Sequence, residues 1–114
     1  GHAIGDYQLI QAMLADGKAD LYAAECMLRD VARRFDRGER VTLEASATKM
    51  FCSEMVGRIA DRAVQIHGGA GYMRDSAVER FYRDVRVFRI YEGTTQIQQL
   101  IIGRELVARH RAAA

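Results

Sequence analysis

The sequence predicts an all-α fold: an up-down domain of the four-helix-bundle type, with two long helices, one short and one medium. Three observations carry that prediction. No proline occurs among 114 residues, where average usage would place about five or six, so nothing interrupts a long helix. Apolar residues recur at alternating steps of four and three over most of the chain, which keeps them on one helical face. No stretch alternates with the period of two that a half-buried strand needs.

The first helix is expected from Asp6 to Phe35, with Asp6 as its N-cap. Ile10, Leu14, Gly17, Leu21, Ala24, Leu28, Val31 and Phe35 form a heptad seam, the pattern of helices packed nearly parallel or antiparallel. Arg33, Arg34 and Arg37 suit the negative end of its dipole, and Gly38 stops it. The second helix is expected from Thr42, again a cap, to about His67. Cys52, Val56, Ile59, Ala63 and Ile66 continue the spacing, and Met50, Phe51 and Met55 widen the stripe; "GGAG" should end it. Ser76 with Glu79 reads as a capping box opening a third, shorter helix, with Val78, Phe81, Tyr82 and Val85 inward. The last helix runs from Thr94 or Thr95 to Arg109, with Ile97, Leu100, Ile101 and Val107 inward, and its "RAAA" tail should fray. The first two helices carry more apolar residues than one stripe holds, so a second face should pack on something outside this chain.

Composition narrows the function. About half the residues are apolar and 28% are charged, as in ordinary globular proteins. The net charge of +2 is small, and basic residues are interspersed with acids, which argues against a nucleic-acid partner. No window reaches the ~18 unbroken apolar residues of a membrane span, and no signal peptide is expected. Cys26 and Cys52 have no C-x-x-C partner and no histidine at ligand spacing, so they read as free thiols in a reducing compartment, with no metal site.

Two short stretches could carry chemistry. In "QIHGGAGY" (Gln65 to Tyr72) the glycines permit a sharp turn whose exposed N–H groups could cradle an anion. Gln65 and His67 would flank such a ligand. The same glycines could instead be a helix cap and turn. In "RIYEGTTQIQ" (Arg89 to Gln98) a lone acid, Glu92, stands between Tyr91 and Gly93. It could be an acid favoured near a helix N-terminus, with Thr94 or Thr95 as the cap. It could also be a base held at a corner and partly desolvated by Tyr91, with Gly93 allowing a ligand close to the backbone. Between the two, "RFYRDVRVFR" reads as an amphipathic helix in which Asp84 pairs with Arg80, Arg83 or Arg86.

The two motifs, in this order and separation, resemble the C-terminal end of the acyl-CoA dehydrogenase family. The heptad helix ending "FDRGER", the "A-x-K-M-F" start of the second helix, "AVQIHGGAGY", "RDVR", "IYEGTTQIQ" and "LIIGREL" all take part, so the resemblance spans the chain. It implies an FAD-dependent oxidation of an acyl-CoA to the trans-2-enoyl-CoA. In that reaction a carboxylate removes the α proton, a hydride leaves the β carbon for the flavin, and electrons pass to an electron-transferring flavoprotein. The base of the family's common arrangement falls on Glu92. Tyr91, Gly93 and Arg104 fall on the substrate side. Thr94 and Gln96 match FAD contacts, and Gln65, Gly68 and Gly69 match contacts to the ADP half of an FAD held mainly by a neighbouring subunit.

The resemblance also implies a homo-oligomer, tetramer or dimer, assembled through this helical domain. It implies a cytoplasmic location in a bacterium or the mitochondrial matrix in a eukaryote. The family places an N-terminal helical domain and a flavin-clamping β domain before this one, so the 114 residues alone are expected to be inactive. Two alternatives stand beside this reading: a non-catalytic helical oligomerisation module, and an acyl-CoA oxidase in which dioxygen takes the electrons.

Overall fold

A computed structural model describes residues 1–114. It contains four α-helices and no strand: α1 (Gln8–Asp36), α2 (Thr42–Tyr72), α3 (Ala77–Asp84) and α4 (Thr95–Ala113). A short 3-10 turn, Ile4–Asp6, precedes α1, and another, Val85–Arg89, extends α3. The all-α class and the lengths of the four helices are as the sequence predicts. No helix is long and apolar enough to cross a membrane.

α2 is the axis of the molecule, and α1, α3 and α4 each pack on it. Side-chain pairs give the directions. Arg34 of α1 meets Glu44 near the start of α2, while Asp16 and Asp20 meet Arg58 and Arg62 further on, so α1 and α2 are antiparallel. Thr95 bonds Glu54 and Arg109 bonds Glu44, so α4 is antiparallel to α2 as well. α3 also runs back along α2, because Tyr82 and Arg83 share clefts with Asp61, and the later Arg89 lies over Gly57. The chain therefore makes a long α1–α2 hairpin. It then returns along α2 as one broken limb, α3 followed by α4. The limb breaks at the "IYEG" corner.

The molecule measures 63 × 25 × 25 Å with a radius of gyration of 17.8 Å, against about 13 Å for a compact domain of this size. Its core is correspondingly thin. Only Ala24, Val41, Met55 and Ala60 are buried apolar residues. The heptad seam of α1 divides in two. Gly17, Ala24 and Val31 lie toward α2, with the position a Cβ would take at Gly17 only 3.9 Å from Ile59. Leu14, Leu21, Leu28 and Phe35, each seven residues from the last, stay exposed. The second apolar face expected on α1 is thus present and uncovered.

Several local expectations change. Asp6 lies in the 3-10 turn, and Tyr7 stands at the N-cap of α1; Val41, not Thr42, stands at that of α2. Neither supplies a side-chain bond. Ser76 caps α3 by position only: its hydroxyl bonds no backbone N–H, its own N–H goes to the Met73 carbonyl, and the Glu79 carboxylate takes Arg83 at 2.6 Å. Asp84 forms no ion pair with Arg80, Arg83 or Arg86; Arg83 goes to Glu79 instead. The regular run of α2 does break at the "GGAG" stretch, where Gly68 has φ 57 and ψ −143, but one further helical turn follows across the kink to Tyr72. The "RAAA" tail stays helical to Ala113. Cys26 is exposed, Cys52 is half-buried, and both are free.

One end of the bundle is tied by charge. Arg34 reaches Asp30, Glu39 and Glu44, Arg109 forks onto Glu44 at 3.0 and 3.3 Å, and Arg40 meets Glu105 at 2.6 Å. The Arg109 hydrogen bond is the main reason the Glu44 carboxyl falls from 4.5 to about 2, helped by a backbone hydrogen bond and opposed by burial. A depressed carboxyl contributes stability that is complete above its unfolded value and lost as pH falls through its folded one. Thermal unfolding should therefore show Tm falling as pH drops from 4.5 toward 2. Glu44→Gln should lower Tm at neutral pH and flatten that acid limb.

Candidate functional site

The corner between the Val85–Arg89 turn and α4 is built from strained backbone. Glu92 has φ 50, the one non-glycine residue of the chain with positive φ, and Gly93 follows at φ 89. Two successive left-handed residues turn the chain sharply, and a side-chain-bearing residue enters that region at a cost of about 1–2 kcal/mol. Such strain in an otherwise regular helical protein points to function. Thr94 then caps α4, its hydroxyl accepting the Ile97 N–H at 3.2 Å. Of the two caps the sequence allowed, Thr94 is the one used. Thr95, the first residue of α4, instead donates its hydroxyl to Glu54 at 2.8 Å.

The corner is held from α2. Lys49 Nζ donates to the carbonyl of Phe88 at 2.7 Å and to that of Gly93 at 2.6 Å. The Gln98 side chain, buried in the first turn of α4, donates to the carbonyls of Glu92 and Gly93 at 3.5 and 3.4 Å. Glu54 serves both sides of the corner, accepting from Thr95 and pairing with Arg89 at 3.4 Å. The Arg89 guanidinium fits because residue 57 is glycine; a Cβ there would collide with it. Phe88 and Tyr91 stack with centroids 5.7 Å apart. Beneath them lies an apolar hollow of ≈ 340 Å³, lined by Cys52, Ser53, Met55, Val56 and Lys49.

The Glu92 carboxylate itself is exposed and makes no hydrogen bond or ion pair within the chain. Its backbone is fixed while its acid group is left unengaged. Tyr91 stands beside it, half-exposed, and Gln96 is exposed on the first turn of α4.

The other candidate residues lie elsewhere. Gln65, His67, Gly68 and Gly69 are exposed at the kink of α2. His67 is held to its own helix, Nδ1 donating to the Ala63 carbonyl at 2.8 Å. Nothing lies within 4 Å of where a Cβ would stand on Gly68 or Gly69, so that backbone is open to a ligand. Gln65 stands sixteen residues along α2 from Lys49, roughly 24 Å at 1.5 Å per residue. The two motifs of one chain therefore do not converge on a common point. Arg104 is exposed on α4, ten residues beyond Thr94, or roughly 15 Å along the helix, and makes no bond to the corner.

Against known proteins, the C-terminal-domain profile of the acyl-CoA dehydrogenases matches residues 1–107. The chain belongs to the acyl-CoA dehydrogenase family. It is 46% identical over 107 residues to the caffeyl-CoA reductase–Etf complex subunit CarC of Acetobacterium woodii, covering 94% of this chain and 28% of that protein. It is 44% identical to a 3-(aryl)acrylate reductase of Clostridium sporogenes, covering 91% of this chain and 28% of that protein. Among solved structures, butyryl-CoA dehydrogenase of Megasphaera elsdenii superposes with a TM-score of 0.90 at 34% identity, over 94% of this chain and 28% of that one. The chain thus spans little more than a quarter of the length of the relatives it matches.

Lys49, Glu54, Arg89 and Gln98 hold the corner, and the motif reading did not single them out. A signal for them was present. Ser46, Lys49, Ser53 and Gly57 interrupt the apolar residues of α2 at helical spacing, a polar and small stripe where a polar partner had to pack. A direct test of the corner is Gly93→Ala. Its Cβ would need a left-handed φ and would stand 2.5 Å from the Gln98 side-chain nitrogen. Denaturant unfolding should show a loss of roughly 1–3 kcal/mol, whereas Gly103→Ala, with open space around it, should not destabilise.

Proposed function

We propose that this chain is the base-bearing part of an FAD-dependent acyl-CoA dehydrogenase, and that Glu92 removes the proton α to the thioester. The observation that carries the reading is the corner itself. Glu92 is held in a left-handed conformation by Lys49 and Gln98, yet its carboxylate has no partner in the chain. A carboxylate anchored by its backbone and free at its acid end can meet a C–H bond at fixed geometry, which is what general-base catalysis requires.

The residues present fit an FAD. Thr94 and Gln96 open α4, a helix N-terminus suited to electron-rich groups, and Gln65, Gly68 and Gly69 offer open backbone at the α2 kink. FAD, when bound, would accept the hydride that leaves the β carbon. The separation of the two motifs along α2 supports their serving two different FAD molecules, with Gln65 to Gly69 facing one held mainly by a neighbouring subunit. Tyr91 and Gly93 would line the acyl site, and Arg104 would approach it from α4.

The exposed row Leu14, Leu21, Leu28 and Phe35 supports assembly into a dimer or tetramer through these helices. An acyl-CoA is the substrate class, and a relative named for an Etf complex supports an electron-transferring flavoprotein as electron partner. The bacterial relatives support a cytoplasmic location. Two of the relatives are named reductases, and the same groups would serve that direction, with Glu92 returning the proton to the α carbon.

In the full-length protein, Glu92→Gln should retain FAD and lower turnover by about 10²–10⁴-fold, the usual contribution of a positioned base. Exchange of the substrate α proton with D2O should vanish with it; turnover at the parent rate would remove Glu92 from the role. The 114-residue chain given FAD, an acyl-CoA and a dye acceptor should show no turnover.

A further inference from the structure

We infer that Lys49 is a positioning residue for the base, acting through the corner's backbone and not on the substrate; this rests on the reading of Glu92 as base. The corner between Phe88 and Gly93 contains two consecutive left-handed residues, one of them bearing a side chain. Its own backbone bonds hold only its first half, where Ile90 and Tyr91 donate to the Val87 carbonyl at 2.8 and 3.1 Å. The second half, where Glu92 sits, is held by side chains. Lys49 Nζ bridges the carbonyls of Phe88 and Gly93. A single ammonium thereby clasps the residue before the corner to the residue after Glu92. Gln98 adds two longer bonds to the Glu92 and Gly93 carbonyls.

Lys49 spends its charge on the corner's backbone and not on a carboxylate, whereas Arg89, packed beside the same corner, pairs with Glu54. Lys49 is half-buried against the apolar hollow under Phe88 and Tyr91, and both of its bonds go to carbonyls. A donor with charge, placed where its only acceptors are two main-chain oxygens, fixes their separation more firmly than a neutral amide would. The clasp refers the position of Glu92 to α2, the helix on which α1, α3 and α4 all pack.

The test uses the full-length enzyme and four variants. Lys49→Met keeps the length of the side chain and removes the ammonium. Its kcat should fall roughly 10–100-fold, the effect of a misplaced catalytic group, while KM for acyl-CoA, FAD content and Tm stay near the parent values. The α-proton exchange rate should fall in step with kcat. Lys49→Arg, which can still donate to two carbonyls, should recover most of the rate. Parent-like kcat in Lys49→Met overturns the inference. So does a loss that Arg does not repair, or one that tracks Tm and FAD content. If Lys49→Met does not fold, Lys49→Gln is read in the same way, and failure of both to fold overturns the positioning role. Glu92→Gln separates the two readings. If it is inactive while Lys49→Met is parent-like, Lys49 alone is misassigned; if it turns over normally, the base assignment itself falls.

Discussion

The other three α-helices each pack against α2. α1 runs antiparallel along one side, and α3 and α4 return in succession along another. This explains why buried residues concentrate on α2 and why so many are small or polar: Ser46, Thr48, Ser53, Gly57 and Ala60. A helix that must admit neighbours on several sides gains more from close backbone approach than from large side chains. Gly57 is the clearest instance, since its missing side chain is the space that Arg89 occupies.

The same arrangement turns a break in the return limb into a site. Where α3 and its 3-10 extension give way to α4, the carbonyls of Phe88, Glu92 and Gly93 take side-chain donors, Lys49 from α2 and Gln98 from α4. Lys49 closes the corner, Glu54 joins Arg89 before it to Thr95 after it, and Gln98 fills the inside of the bend. Strain at Glu92 persists because these contacts over-determine it. The conformation of the candidate base thus depends on polar contacts from Lys49, far earlier in the chain, and from Gln98, six residues later.

The cost of an axial design is an incomplete core. With four buried apolar residues, the chain leaves long apolar faces uncovered, most plainly Leu14, Leu21, Leu28 and Phe35 along α1. Exposed apolar patches of this kind mark surfaces that associate. The Gln65–Gly69 kink of α2 and the Glu92 corner, which Lys49 anchors, lie far apart and are both exposed.

Periodicity and punctuation determined much of this protein by themselves. The absence of proline, the stepping of Ile10 to Phe35 and the glycines at 38, 68 and 93 are local signals. They suffice for four helices, their lengths and the sites of their breaks, because helix formation is governed by neighbours within a turn or two. The motif residues around Glu92 and Gly68 were legible for the same reason. Tertiary structure decided what depends on distant partners. Which half of the α1 seam meets α2 was settled by where α2 offers Ile59. Glu79 pairs with Arg83 and does not complete the capping box, and the same pair takes Arg83 from Asp84. That α3 and α4 both run against α2, and that Lys49 clasps the corner holding Glu92, are matters of geometry between segments that no local pattern encodes.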